Sequence, residues 1–134
     1  GWDEYFMNLA ETVSTRATCN RLSVGAVIVK NNRVISTGYN GAPTGLPHCT
    51  DSECLINDQG RCIRTVHAEQ SALLACPEPE GATMYVTHYP CENCSKFIVQ
   101  SGIAKVVYKH PYDNKHSKEF LEHIQVKQLS ITTK

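Results

Sequence analysis

The sequence predicts a three-layer α/β/α domain built on a central five-stranded mixed sheet. Three observations predict it. Two apolar, β-branched runs at residues 24–29 and 33–39 flank Lys30-Asn31-Asn32, the pattern of a hairpin with an asparagine turn. Strand-like and helix-like segments then alternate to the end of the chain, which calls for a sheet covered by helices on both faces. With 41% hydrophobic and 19% charged residues in 134, the chain is globular and long enough for one ordinary core, so a single domain over 1–134 is expected.

Each element has its own signal. Tyr5, Phe6, Leu9, Ala10 and Val13 fall at helical spacing and predict an amphipathic helix over 4–18. The hairpin follows, and residues 38–47, with three glycines and two prolines, read as loop. Residues 48–64 have few apolar side chains and no period; a structureless stretch of that length in a compact domain needs something to pin it. Thr65 reads as the N-cap of a helix running to Cys76, stopped by Pro77. A strand over 81–88 precedes a helix opened by Pro90 and closed near Gln100 by Ser101-Gly102. A strand over 103–108, a short helix over 117–124 and a last strand over 126–131 complete the count.

Composition narrows the function. Thirteen basic residues balance thirteen acidic ones, so the electrostatic footprint of a nucleic-acid binder is missing and a small-molecule substrate is expected. No apolar run approaches the roughly 20 residues of a membrane span, and Gly1-Trp2-Asp3-Glu4 lacks the basic start of a secretory leader. The seven cysteines are an odd number, with close pairs and histidines nearby. That pattern fits metal thiolates in a reducing, cytoplasmic setting better than a disulfide framework.

The chemistry concentrates in His67-Ala68-Glu69, followed 21 residues after Glu69 by Pro90-Cys91-Glu92-Asn93-Cys94. Three of these residues, His67, Cys91 and Cys94, are borderline-to-soft ligands suited to Zn²⁺, leaving a fourth position for water. Residues three apart on a helix share a face, so both sulfurs can reach one ion, and helix N-termini favour thiolates and the Glu69 anion. Glu69 is not needed as a ligand and is free to move protons. H-x-E followed by P-C-x-x-C is the arrangement of nucleobase deaminases, in which an activated water attacks the ring and a glutamate shuttles protons. A closed structural zinc site would ordinarily use four protein ligands, and only three occur here.

With these residues placed, the chain resembles the cytidine-deaminase-like superfamily, and within it the deoxycytidylate (dCMP) deaminases, including the small proteins of bacterial competence operons and phage enzymes. The resemblance is carried by residues 24–29 (Val-Gly-Ala-Val-Ile-Val), 36–43 (Ser-Thr-Gly-Tyr-Asn-Gly-Ala-Pro), 64–69 (Arg-Thr-Val-His-Ala-Glu), Tyr85-Val86-Thr87 and the Pro90-Cys91-x-x-Cys94 motif. It implies hydrolytic deamination of dCMP to dUMP and ammonia, feeding thymidylate synthesis. It also implies a homohexamer, with dCTP and Mg²⁺ as activator and dTTP as inhibitor. By position, Asn40 would bond the deoxyribose hydroxyl, Val27 would line the base pocket and the Ala68 amide would face the pyrimidine edge. The loop of Gly41, Ala42, Thr44 and their neighbours would offer backbone N–H groups to the 5′-phosphate, with Arg21 and Tyr112 as further phosphate ligands. Ser71 departs from the family, which more often has asparagine there.

Some dCMP deaminases carry a second, structural zinc, and the resemblance implies one here from Cys19, Cys49, Cys54 and Cys62, with His48 as a substitute ligand. Such an ion would offset the ordering entropy of the 48–64 insertion. Cys76 reads as a small core residue. His88 reads as a strand-end histidine near the pocket mouth, and His110, His116 and His123 read as surface residues. Two other readings stay open: a deaminase of another base, in tRNA or free, and a non-enzymatic zinc-stabilised protein of competence.

Overall fold

The computed structural model describes residues 1–18, 22–42, 45, 65–111 and 116–129. Helix α1 (Trp2–Ser14) leads into β1 (Gly25–Lys30) and β2 (Arg33–Tyr39), then α2 (Ala68–Ala75), β3 (Thr83–His88), α3 (Glu92–Gln100), β4 (Lys105–His110), α4 (Ser117–Leu121) and β5 (Gln125–Gln128). The sheet order is β2-β1-β3-β4-β5. Strand β1 is antiparallel to both neighbours, whereas β3, β4 and β5 run parallel, so the sheet is mixed.

The core divides by strand parity. Ala26, Ile28, Met84, Val86 and Val106 meet Ala68, Ala72, Ile98 and Leu121 on one face. Val27, Val29, Tyr85 and Val107 meet Phe6, Met7 and Ala10 of α1 on the other. A sheet covered twice explains why β1 and β3 read as continuous apolar runs without alternation. Each fully buried aliphatic of this set contributes on the order of 1.5–3 kcal/mol. Close approach of α1 needs Gly25, because a Cβ there would collide with the Ala10 carbonyl oxygen.

The hairpin turn is the expected one: Asn31 and Asn32 take φ of 53° and 60°, as a two-residue turn matched to strand twist requires. Helix α1 ends at Ser14, short of the expected Thr18, because Thr12, Ser14 and Thr15 bond back to the carbonyls of Asn8, Glu11 and Thr12. Helix α2 starts later than expected: His67, not Thr65, is its N-cap, since the Gln70 side chain accepts from the His67 N–H at 3.0 Å. Helix α3 likewise opens after Cys91 and not at Pro90, because the Cys91 sulfur accepts from the Cys94 N–H. Strand β4 runs on to His110, two residues past the expected end, where it stays in register with His88. Helix α4 stops at Leu121 as the chain turns into β5.

Candidate active site

Two helix starts and one strand edge build the site. His67 and Cys91 are the N-caps of α2 and α3, both with extended backbone, and Cys94 lies one turn inside α3. The His67 Nδ1 is 3.2 Å from the Cys94 sulfur and 3.5 Å from the Cys91 sulfur. The three donors lie within 4.8 Å of one another. A tetrahedral zinc, with bonds of about 2.0 Å to nitrogen and 2.3 Å to sulfur, sets its ligands roughly 3.5–3.8 Å apart, so this triangle fits the ion. Among the described residues no fourth His, Cys or acid joins the cluster, the pattern of an open site.

The electrostatics follow from the caps. The thiol of Cys91 is drawn down to about 4, foremost by its hydrogen bond with the Cys94 thiol, then by His67 and the Cys94 N–H. The same bond, together with burial, pushes Cys94 up. Glu69 sits in the first turn of α2 and is almost fully enclosed, at 5% exposure. Burial raises its carboxyl to about 7, against its own backbone hydrogen bond and the nearby His67. A carboxyl whose proton is exchangeable near neutrality is suited to general acid–base work.

Strand β2 holds α2 in place. The Ser36 hydroxyl donates to the Ala72 carbonyl at 2.6 Å, and a Cβ on Gly38 would strike the Ala68 carbonyl oxygen and the Ala72 nitrogen. Beyond the strand, Gly41 and Val66 exchange two backbone hydrogen bonds of 3.1 and 2.7 Å, which fix the residue next to His67. The Asn40 side chain accepts from the Val24 N–H at 2.8 Å and donates to the Leu22 carbonyl at 2.5 Å. These β2 contacts were missed in the sequence reading; small residues at 36 and 38, on one side of a strand, were the available signal.

Of the residues singled out in the sequence, His67, Glu69, Cys91 and Cys94 are brought together, and Ala68, Asn40, Gly41 and Ala42 lie on the segments around them. Val27 is not brought to this site: it is fully buried in the cluster beneath α1, opposite α2. Cys76 caps α2 and packs on the core, as expected. His110 is not an isolated surface residue, since its ring lies against that of His88. Arg21, Thr44, Tyr112, Cys19, His48, Cys49, Cys54 and Cys62 lie outside the described residues.

Comparison with known proteins agrees with this geometry. The model of the cytidine and deoxycytidylate deaminase zinc-binding region matches residues 1–110. ComE operon protein 2 of Bacillus subtilis is 43% identical over 137 residues, covering 97% of this chain and 72% of its own. The deoxycytidylate deaminase of Mycobacterium phage D29 is 46% identical over 122 residues, covering 80% of this chain and 93% of its own. The crystal structure of the dCMP deaminase of cyanophage S-TIM5, in complex with dCMP and dUMP, superposes with a TM-score of 0.82 at 33% identity, covering 94% of this chain and 95% of that one. Together with the His67–Cys91–Cys94 triangle, these matches show that the chain belongs to the cytidine and deoxycytidylate deaminase family of zinc-binding enzymes.

Proposed function

We propose that the chain deaminates dCMP: water adds its oxygen to C4 of the cytosine ring, the C4–N4 bond breaks, and dUMP and ammonia leave. The observation that carries this reading is the buried Glu69 carboxyl set beside a three-donor cluster, in a chain whose phage relative is a deoxycytidylate deaminase. Zinc held by His67, Cys91 and Cys94 would supply the Lewis acidity that makes water a nucleophile near neutral pH. Glu69 accepts the proton of the attacking water, delivers it to ring N3, and protonates the departing amine. Enclosure of Glu69 keeps bulk water from competing for that proton. The Ser36 and Gly38 contacts hold α2 so that His67 and Glu69 keep their spacing.

The finer features belong to the same proposal. One deaminase domain covers 1–134, with the 48–64 insertion pinned by a second zinc on Cys19, Cys49, Cys54 and Cys62. The Asn40, Gly41, Ala42 and Ala68 segment contacts the nucleotide, and the chain assembles as a homo-oligomer under dCTP and dTTP control. Supply of dUMP for thymidylate synthesis is its role in the cell.

The deciding experiment is turnover of dCMP, deoxycytidine and dCTP by the purified zinc form, with dCMP assayed again in the presence of dCTP and Mg²⁺. Turnover of dCMP well above deoxycytidine is expected. No turnover of any of them, with zinc content confirmed, overturns the reading.

A further inference from the structure

The C-terminal edge of the sheet carries a linked row of polar groups. Asn40, just past β2, bonds the backbone at Val24, where β1 begins. The neighbouring Gly25 N–H donates to the Thr87 hydroxyl at 3.2 Å, and that hydroxyl meets the His88 Nδ1 at 2.8 Å. His88 ends β3 in register with His110, which ends β4, and the two rings lie 4.9 Å apart at 34°. Both metal-ligand segments hang from this row: Gly41 clasps the residue before His67, and Tyr89, two residues before Cys91, donates to the His110 carbonyl at 2.9 Å. Ligands of sheets with parallel strands bind outside the C-terminal strand ends, which is where this row lies.

The histidine pair has no role in the deamination chemistry, and its surroundings are unusual for two imidazoles. Both rings are half-buried, and among the described residues neither has a carboxylate within ion-pair distance. The nearby acid, Glu11 of α1, is taken by Lys109 at 2.5 Å. Burial first, and then His110, hold the His88 imidazole below its usual range, with Glu11 opposing weakly. Because Nδ1 of His88 is spent on Thr87, Nε2 is the nitrogen left for a ligand. Two adjacent imidazoles repel when both are protonated, and a bound dianion removes that repulsion while accepting a charge-assisted hydrogen bond from each.

We infer that His88 and His110 form a paired-imidazole subsite for a phosphomonoester dianion, the 5′-phosphate of the nucleotide substrate. The assignment of the phosphate to the substrate rests on the dCMP reading; the anion site itself does not.

The test has two arms, both on the zinc-loaded protein. In the first, the imidazole C–H resonances of His88 and His110 are followed by NMR as inorganic phosphate is added, then as dCMP is added over the phosphate. Saturable shifts of both rings, with phosphate displaced by dCMP, are expected. In the second, kcat/KM for dCMP and for deoxycytidine is measured in the wild type, His88→Asn and His110→Asn. The preference for dCMP should fall about 10- to 100-fold in each variant, the value of a hydrogen bond to a charged group. Rings unmoved by phosphate and by dCMP overturn the site, as does an unchanged dCMP preference in folded variants that retain zinc. Phosphate shifts that dCMP does not displace assign the site to free phosphate and overturn the substrate assignment. A wild type that turns over neither compound defeats the dCMP reading, and the phosphate titration still decides the pair.

Discussion

The Ser36 hydroxyl donates to the Ala72 carbonyl, joining the edge strand β2 to the helix that carries Glu69. The bond is buried, and beside it the bare backbone of Gly38 lets α2 settle directly on the strand. Gly38→Ala drives a methyl into backbone atoms that cannot rotate away, so α2 must move. A loss of about 1–3 kcal/mol is expected from overpacking, together with a fall in dCMP turnover larger than any loss of zinc. Thermal melts, metal analysis and kcat on the same preparation check it. Ser36→Ala should cost a similar roughly 1–3 kcal/mol by leaving the Ala72 carbonyl unsatisfied.

Glu69→Gln keeps the shape of the side chain and removes its basicity. Turnover is expected to fall by about 10²–10⁴-fold, with zinc content unchanged. A variant retaining activity within a few-fold would move the proton transfer to another group. Full loss of turnover with fold and zinc intact also separates an enzyme from a zinc-stabilised scaffold.

Chelation should lower Tm, and added zinc should restore it in a concentration-dependent way, because an ion bound only by the native state stabilises by mass action. Cys91→Ser should abolish that response at the His67–Cys91–Cys94 cluster. Stoichiometry reads the second site: two zincs per chain, falling to one in Cys54→Ser, is the expected result. One tight zinc indifferent to Cys54→Ser would remove the structural ion.

Asp3 anchors α1 to the sheet. Its carboxylate accepts from Lys127 of β5 at 2.7 Å and from the Tyr85 hydroxyl of β3 at 2.6 Å. The Lys127 bond first, then Tyr85, hold the carboxyl below its usual value. A depressed folded pKa means that the contribution is fully present above the unfolded value of about 3.9 and is lost as pH falls through the lower folded value. Asp3→Asn should therefore cost stability at neutral pH and narrow the gap to wild type in strong acid. Urea melts at about pH 6 and pH 3 compare the two.

The sequence announced the parts of this protein that local chemistry dictates. Asn31-Asn32 marked a turn needing positive φ, Gly102 closed α3, and the doubly apolar β1 and β3 betrayed strands covered on both sides. The metal cluster was legible because ligand type and three-residue spacing are themselves the geometry of the site. Helix starts were displaced by one to three residues, since the caps at His67 and Cys91 depend on where side-chain acceptors sit in space. The burial of Val27 beneath α1 and the pairing of His88 with His110 depend on strand register, which no local pattern carries.

The clasp between Gly41 and Val66 has a consequence for how such chains can vary. Two backbone hydrogen bonds close the chain on itself immediately before the first metal ligand. Whatever runs between them enters and leaves through the same gate, so its length and composition are uncoupled from the placement of His67. Loop-closure cost grows only with the logarithm of length, about 0.6 kcal/mol per doubling. Residues 42–65 are thus the stretch in which this scaffold can gain or lose sequence, and with it acquire new ligands, without retuning the chemistry next door.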